Sequence, residues 1–234
     1  MHVVEYSGTD KAMTSGSTYV SVPIEQGDSF VLKPMVLAKE AEKRIEADER
    51  YPATDFTNPF TDVLEGAYYY DPVMWAVQQG VTTGMSETIF APDNTCTRAQ
   101  IVTFLWRASG SPEPASANMP FTDVAAGSYY EKAVLWAVEE GITKGTSDTT
   151  FGPDQPCTRG QVVTFLWRSL DEKMPTSDAN PFLDVPGDQY YYNAVLWAVE
   201  NKITNGMSAN AFSPDAPCSR GQIVTFLYRA LVLQ

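Results

Sequence analysis

A period of 61 residues, run three times without slippage, constrains this chain more than any other feature. Phe60-Thr61-Asp62-Val63 returns as Phe121-Thr122-Asp123-Val124 and as Phe182-Leu183-Asp184-Val185. Trp75-Ala76-Val77 returns at Trp136 and Trp197, and Cys96-Thr97-Arg98 returns at Cys157 and Cys218. A unit this small cannot bury its own apolar helix faces, so neighbouring units must complete the core. The expected layout is an N-terminal segment 1–57 followed by repeats 58–114, 115–175 and 176–234. Pro- and Ser-rich linkers such as Ser109-Gly110-Ser111-Pro112 join them.

Each unit reads as helix, loop, helix. The first helix starts near a Tyr pair (Tyr129-Tyr130 in the second unit) and carries Ala133, Val134, Trp136, Ala137 and Val138 at helical spacing. Gly80 and Gly141 follow it and suit a left-handed C-cap, whereas Lys202 stands there in the third unit, so that its cap must differ or carry strain. The second helix is announced by Thr97-x-x-Gln100, Thr158-x-x-Gln161 and Ser219-x-x-Gln222, each a capping box. The cysteine before each cap forms a hydrophobic staple with the residue at the fourth helical position. No strand alternation occurs in the repeats. The predicted fold is all-α, with three helix-loop-helix units closed around a pseudo-threefold axis.

Composition excludes several functions. With 29 acidic against 16 basic residues the net charge is −13, which argues against nucleic acid and against an anionic membrane surface. No apolar stretch is long enough to span a bilayer. The single histidine, His2, sits at the extreme N-terminus, so His-based catalysis and most zinc sites are not expected. Three cysteines cannot form a complete disulfide framework. Residues 1–25 lack a basic-then-apolar secretory pattern, so the chain is either cytoplasmic or part of a longer exported protein. Residues 1–32 suggest two or three short strands and 36–50 a charged helix, read together as the tail of a preceding domain.

The ordered motifs Phe-x-Asp-Val, Tyr-Tyr, Trp-Ala-Val, Phe-x-Pro-Asp and Thr-Arg-x-Gln resemble the S-layer homology family, present three times over residues 58–234. That resemblance implies a pseudo-threefold unit with a central helix bundle. It also implies extracellular, non-covalent attachment of exported bacterial proteins to the cell wall, through pyruvylated secondary cell-wall polysaccharide. The family signature Thr-Arg-Ala-Glu ends here in Gln100, Gln161 or Gln222, which keeps the cap and drops the charge.

Arg98, Arg159 and Arg220 are the sharpest candidate site residues. Each opens a helix, where the dipole disfavours a cation. Free amides there plus a guanidinium would suit a carboxylate, such as the pyruvyl group that the resemblance implies. The competing role is an ion pair with Asp62, Asp123 or Asp184. Those aspartates could accept sugar hydroxyls or cap a local turn. Trp75, Trp136 and Trp197 offer flat faces to a sugar yet fall on the apolar stripe. Gly84, Gly145 and Gly206 allow either a ligand's close approach or a turn. Arg107, Arg168 and Arg229, at helix C-termini, read as structural. The cysteines read as buried staple residues rather than as a soft-metal site.

No catalytic constellation is visible: Glu139-Glu140 are adjacent on a helix and do not face one site. The chain is expected to be no enzyme, to need no cofactor, and to serve as a carbohydrate-binding anchor. The alternatives are a self-assembly module of a surface layer and the anchor region of a larger exported enzyme.

Overall fold

The computed structural model describes residues 11–15, 18–22 and 56–233. The chain divides into two units, Met1–Thr54 and Asp55–Gln234. In the first, β1 (Lys11–Ser15) pairs antiparallel with β2 (Thr18–Val22), Lys11 opposite Val22 and Ser15 opposite Thr18. These are two of the short strands expected. The helix expected over 36–50 lies outside the described residues.

The described residues of the second unit hold six helices and no strand: α1 (Tyr70–Gln78), α2 (Arg98–Ala108), α3 (Glu131–Glu139), α4 (Arg159–Arg168), α5 (Tyr192–Glu200) and α6 (Arg220–Leu231). The capping boxes form in all three repeats. The Thr97 hydroxyl accepts from the Gln100 amide while the Gln100 side-chain oxygen accepts from the Thr97 amide, and Thr158/Gln161 and Ser219/Gln222 do the same. The glutamines therefore carry the capping role that the sequence assigned to them. The first helices have no side-chain cap and rely on their buried faces, such as Val73, Trp75 and Ala76 in α1.

The packing unit is not the sequence repeat. α2 packs on α3, α4 on α5, and α6 on α1, so each helical pair straddles a repeat boundary. The sequence suggested hairpins made within one unit. The structure instead makes two hairpins from consecutive repeats and a third from the two ends of the body, with α4 also touching α2 and α6. The physical reason is that both helices of a repeat expose an apolar stripe. A neighbour's helix covers that stripe, while the loop between the two helices of a repeat is bonded to the helix start of a neighbouring repeat.

Main-chain hydrogen bonds trace the pseudo-threefold axis. The Cys157 amide donates to the Cys96 carbonyl at 2.9 Å, Cys218 to Cys157 at 2.9 Å, and Cys96 to Cys218 at 3.0 Å. This closed cycle joins the three helix starts. No described helix is long and apolar enough to cross a membrane.

Candidate functional site

Each joint is built around one arginine. Arg98, Arg159 and Arg220 are only 2–3% exposed, although each opens a helix. Their Nε atoms donate to loop carbonyls of the next repeat around the ring: Arg98 to Phe151 at 2.9 Å, Arg159 to Phe212 at 3.0 Å and Arg220 to Phe90 at 2.9 Å. Two rings flank each guanidinium. Arg98 lies 4.9 Å from the Phe151 centroid and 5.3 Å from that of Phe165, and Phe212/Phe226 and Phe90/Phe104 flank the other two. Such cation–π contacts offset part of the cost of drying the charge. Burial pulls each arginine below its ordinary pKa.

The helix-start amides are not free, which corrects the anion-site geometry expected from sequence. The Arg98 amide donates to the Gln155 carbonyl and the Ala99 amide to that of Pro153; Arg159/Gly160 and Arg220/Gly221 repeat the arrangement. The loop of the next repeat thus fills the position an anion would take. What stays open is on the side chain. Nη2 of Arg98 and of Arg220 is buried with no hydrogen-bond partner, while Nη2 of Arg159 reaches the Thr204 hydroxyl at 3.4 Å.

Asp62, Asp123 and Asp184 fasten that loop. The Asp62 carboxylate accepts from the Phe90 and Ala91 amides at 2.9 and 2.7 Å. Asp123 takes those of Phe151 and Gly152, and Asp184 those of Phe212 and Ser213. They cap a loop 28 to 29 residues away rather than the turn beside them. Loss of solvent pushes the Asp123 carboxyl up, but the two amides and the charge of Arg98 bring it below its usual range.

Trp75, Trp136 and Trp197 are 6–7% exposed and lie in the core. Gly84, Gly145 and Gly206 have φ of +79 to +86°, and a Cβ at each would stand 2.5 Å from a ring carbon of Phe60, Phe121 or Phe182. Both observations fit the packing and turn roles. Arg107, Arg168 and Arg229 donate to the carbonyls of Val81, Ile142 and Ile203, consistent with a structural part. The three cysteines are fully buried. Among the described residues no group of His, Cys, Asp and Glu is placed to hold a metal ion.

The sequence reading passed over one set. Tyr68, Tyr129 and Tyr190, the first of each Tyr pair, are 56–57% exposed. Tyr190 lies close to Arg98, Tyr68 to Arg159 and Tyr129 to Arg220. Each joint therefore draws an arginine from one repeat, an Asp-fastened loop from the next and a tyrosine from the third. An exposed aromatic recurring at one repeat position was the available signal.

The S-layer homology domain model matches residues 59–102, 120–163 and 181–224. These matches cover more than half of the chain, and the chain belongs to the S-layer homology domain family, with three tandem copies. Among its relatives are a cell surface protein of Thermoanaerobacter kivui, 33% identical over 120 residues (50% of this chain, 16% of that protein). A surface-layer 125 kDa protein of Lysinibacillus sphaericus is 32% identical over 106 residues (45% and 9%). A cellulosome-anchoring protein of Acetivibrio thermocellus is 24% identical over 161 residues (67% and 36%). The matched stretch is a minor part of each of these relatives.

Proposed function

We propose that the three-repeat body is a non-covalent anchor to the bacterial cell wall, and that its joints take an acidic, pyruvate-bearing sugar of a secondary cell-wall polysaccharide. Family membership and the surface and anchoring proteins among the relatives support the anchoring role. The observation that carries the ligand chemistry is the buried, partnerless Nη2 of Arg98 and Arg220. A dry guanidinium with donor capacity to spare is a strong attractor for a carboxylate, because a buried charge is screened less than one in water.

In this reading the guanidinium forms the floor of each site. Tyr68, Tyr129 and Tyr190 supply exposed apolar faces for a sugar ring. Asp62, Asp123, Asp184, Gly84, Gly145 and Gly206 shape the loop, and Trp75, Trp136 and Trp197 hold the helix beneath it. The module works outside the cell at the wall.

The test is sedimentation of the protein with purified cell-wall sacculi before and after the non-peptidoglycan polymer is stripped. Loss of binding after stripping supports the anchor. Calorimetry with pyruvylated and depyruvylated disaccharides then isolates the carboxylate, and equal affinity for the two sugars overturns the proposed ligand chemistry.

A further inference from the structure

The two linkers between repeats differ in backbone strain. In the first, Gly110 and Ser111 adopt φ of +85° and +56°. At the matching places in the second stand Asp171 and Glu172, with φ of +65° and +50°, two adjacent left-handed residues that both carry a Cβ. This conformation is unfavourable for L-residues other than glycine. The turn is held by the Glu172 amide on the Trp167 carbonyl at 3.0 Å and by the Trp167 indole on the Lys173 carbonyl at 2.8 Å. Arg168 and Glu172 add a partly exposed ion pair at 3.5 Å.

The third repeat makes every one of its joints with groups of repeats one and two. α5 lies on α4, α6 lies on α1, Arg159 reaches Phe212 and Arg220 reaches Phe90. None of these contacts depends on the covalent link at 171–172. A third repeat from another molecule would make them all equally well. Beyond the link, the Thr176 amide and hydroxyl bond Glu200 within the third repeat, so this part of the linker would travel with it. A short hinge under strain, with native contacts available in both arrangements, is the setting that favours domain swapping.

We propose that two copies of this chain exchange their third repeats, the turn at Asp171–Glu172 opening into an extended connection. Each body of the dimer then contains repeats one and two of one chain and repeat three of its partner. The dimer needs no new interface: release of the hinge strain favours it, and the entropy of association opposes it. It carries two sets of three joints on one tethered particle, so a repetitive polymer would hold it more tightly than either body alone.

The experiment is unfolding and refolding of the full chain at high and at low protein concentration, with masses read by light scattering after size exclusion. A dimer is expected in the concentrated refold. Asp171→Gly with Glu172→Gly removes the strain and should lower the dimer-to-monomer ratio at least about tenfold, since each left-handed non-glycine residue released is a sizeable term. Cooperative thermal melting of the double variant confirms that it folds. A specific protease site placed at 173–175 identifies the geometry. Cutting a swapped dimer yields nicked bodies of monomer mass, whereas a dimer joined side by side keeps its mass. Refolding only to monomer at every concentration, a dimer indifferent to the glycines, or a cut dimer that stays a dimer would each overturn the proposal.

Discussion

Nε of Arg220 donates to the carbonyl of Phe90 at 2.9 Å, and this bond joins the last helix to the first repeat across 130 residues of chain. The bonds from Arg98 and Arg159 have the same geometry but span only 53 residues. Only the Arg220 joint closes without a linker beside it. Arg220→Ala would leave a buried carbonyl without its donor and remove the contacts with Phe90 and Phe104, a loss of roughly 3 kcal/mol. Urea unfolding should show that loss together with a reduced m-value, because the opened joint exposes surface before the body unfolds. Arg98→Ala should lose similar stability with m unchanged. An Arg220→Ala loss below about 1 kcal/mol would mean that the closing joint is held by other groups.

Lys202 adopts φ of +57°, where Gly80 and Gly141 adopt +68° and +69°. Its amide bonds the Val199 carbonyl as those of Gly80 and Gly141 bond Val77 and Val138. The C-cap is thus the same in all three repeats, and in the third a side chain bears it under strain. Lys202→Gly should stabilise the body by about 1 kcal/mol, or roughly 2–4 °C in Tm. Gly141→Ala should destabilise it by a similar amount. A Cβ at Gly141 meets nothing within 4 Å, so the cost there is purely conformational.

The capping boxes were legible because each depends on residues a few positions apart, and Lys202 marked a cap that had to differ or carry strain. The helix pairing was not: α1 and α2 each present an apolar stripe, and nothing local says which neighbour covers it. The burial of Arg98, Arg159 and Arg220 was hidden for a related reason. Their partners, the carbonyls of Phe151, Phe212 and Phe90, are backbone groups of another repeat and leave no trace in side-chain pattern. The aspartates were read as sugar acceptors or as caps of their own turn, because the distant amides they hold appear only once the loop folds back.

Burial pushes the Cys96 and Cys218 thiols up to about 12, and that of Cys157 upward as well. The folded body therefore keeps protons that the unfolded chain, with thiols titrating near 8.5, gives up. Stability is unaffected below that value and falls as pH rises above it, by up to about 1.4 kcal/mol per pH unit for each thiol, or about 4 for the three. Urea midpoints taken through the alkaline range should show this slope. The Cys96→Ala/Cys157→Ala/Cys218→Ala variant should lack most of it. The same burial should keep the native thiols from alkylation until the protein is denatured.

Asp123 has the opposite sign. Its folded carboxyl titrates below the ordinary aspartate value near 3.9, so its contribution is present above that value and is lost as pH falls through the depressed one. Asp123→Asn keeps the shape but turns one amide donor toward the Phe151 or Gly152 N–H. It should cost about 2 kcal/mol at neutral pH and leave a weaker acid dependence. Acid titration of the two proteins by circular dichroism compares them directly, and identical acid midpoints would remove Asp123 as a contributor.

Arginine variants report on binding and on stability together, so the exposed tyrosines are the cleaner probe of the proposed sugar site. Tyr129→Ala removes a 57% exposed ring beside Arg220 and should leave the melting temperature nearly unchanged. If the ring packs on the sugar, affinity for the pyruvylated disaccharide at that joint should fall by about tenfold, the scale of one lost aromatic contact. Tyr190→Ala should act likewise at the Arg98 joint. Tyr68→Ala should matter less, because Arg159 already has Thr204 as a partner for Nη2 and offers a carboxylate less unused donor capacity. Calorimetry on the three variants gives both stoichiometry and affinity. Full affinity at all three joints would place the sugar away from the tyrosines, and equal losses at all three would show that the Thr204 contact does not distinguish the Arg159 site.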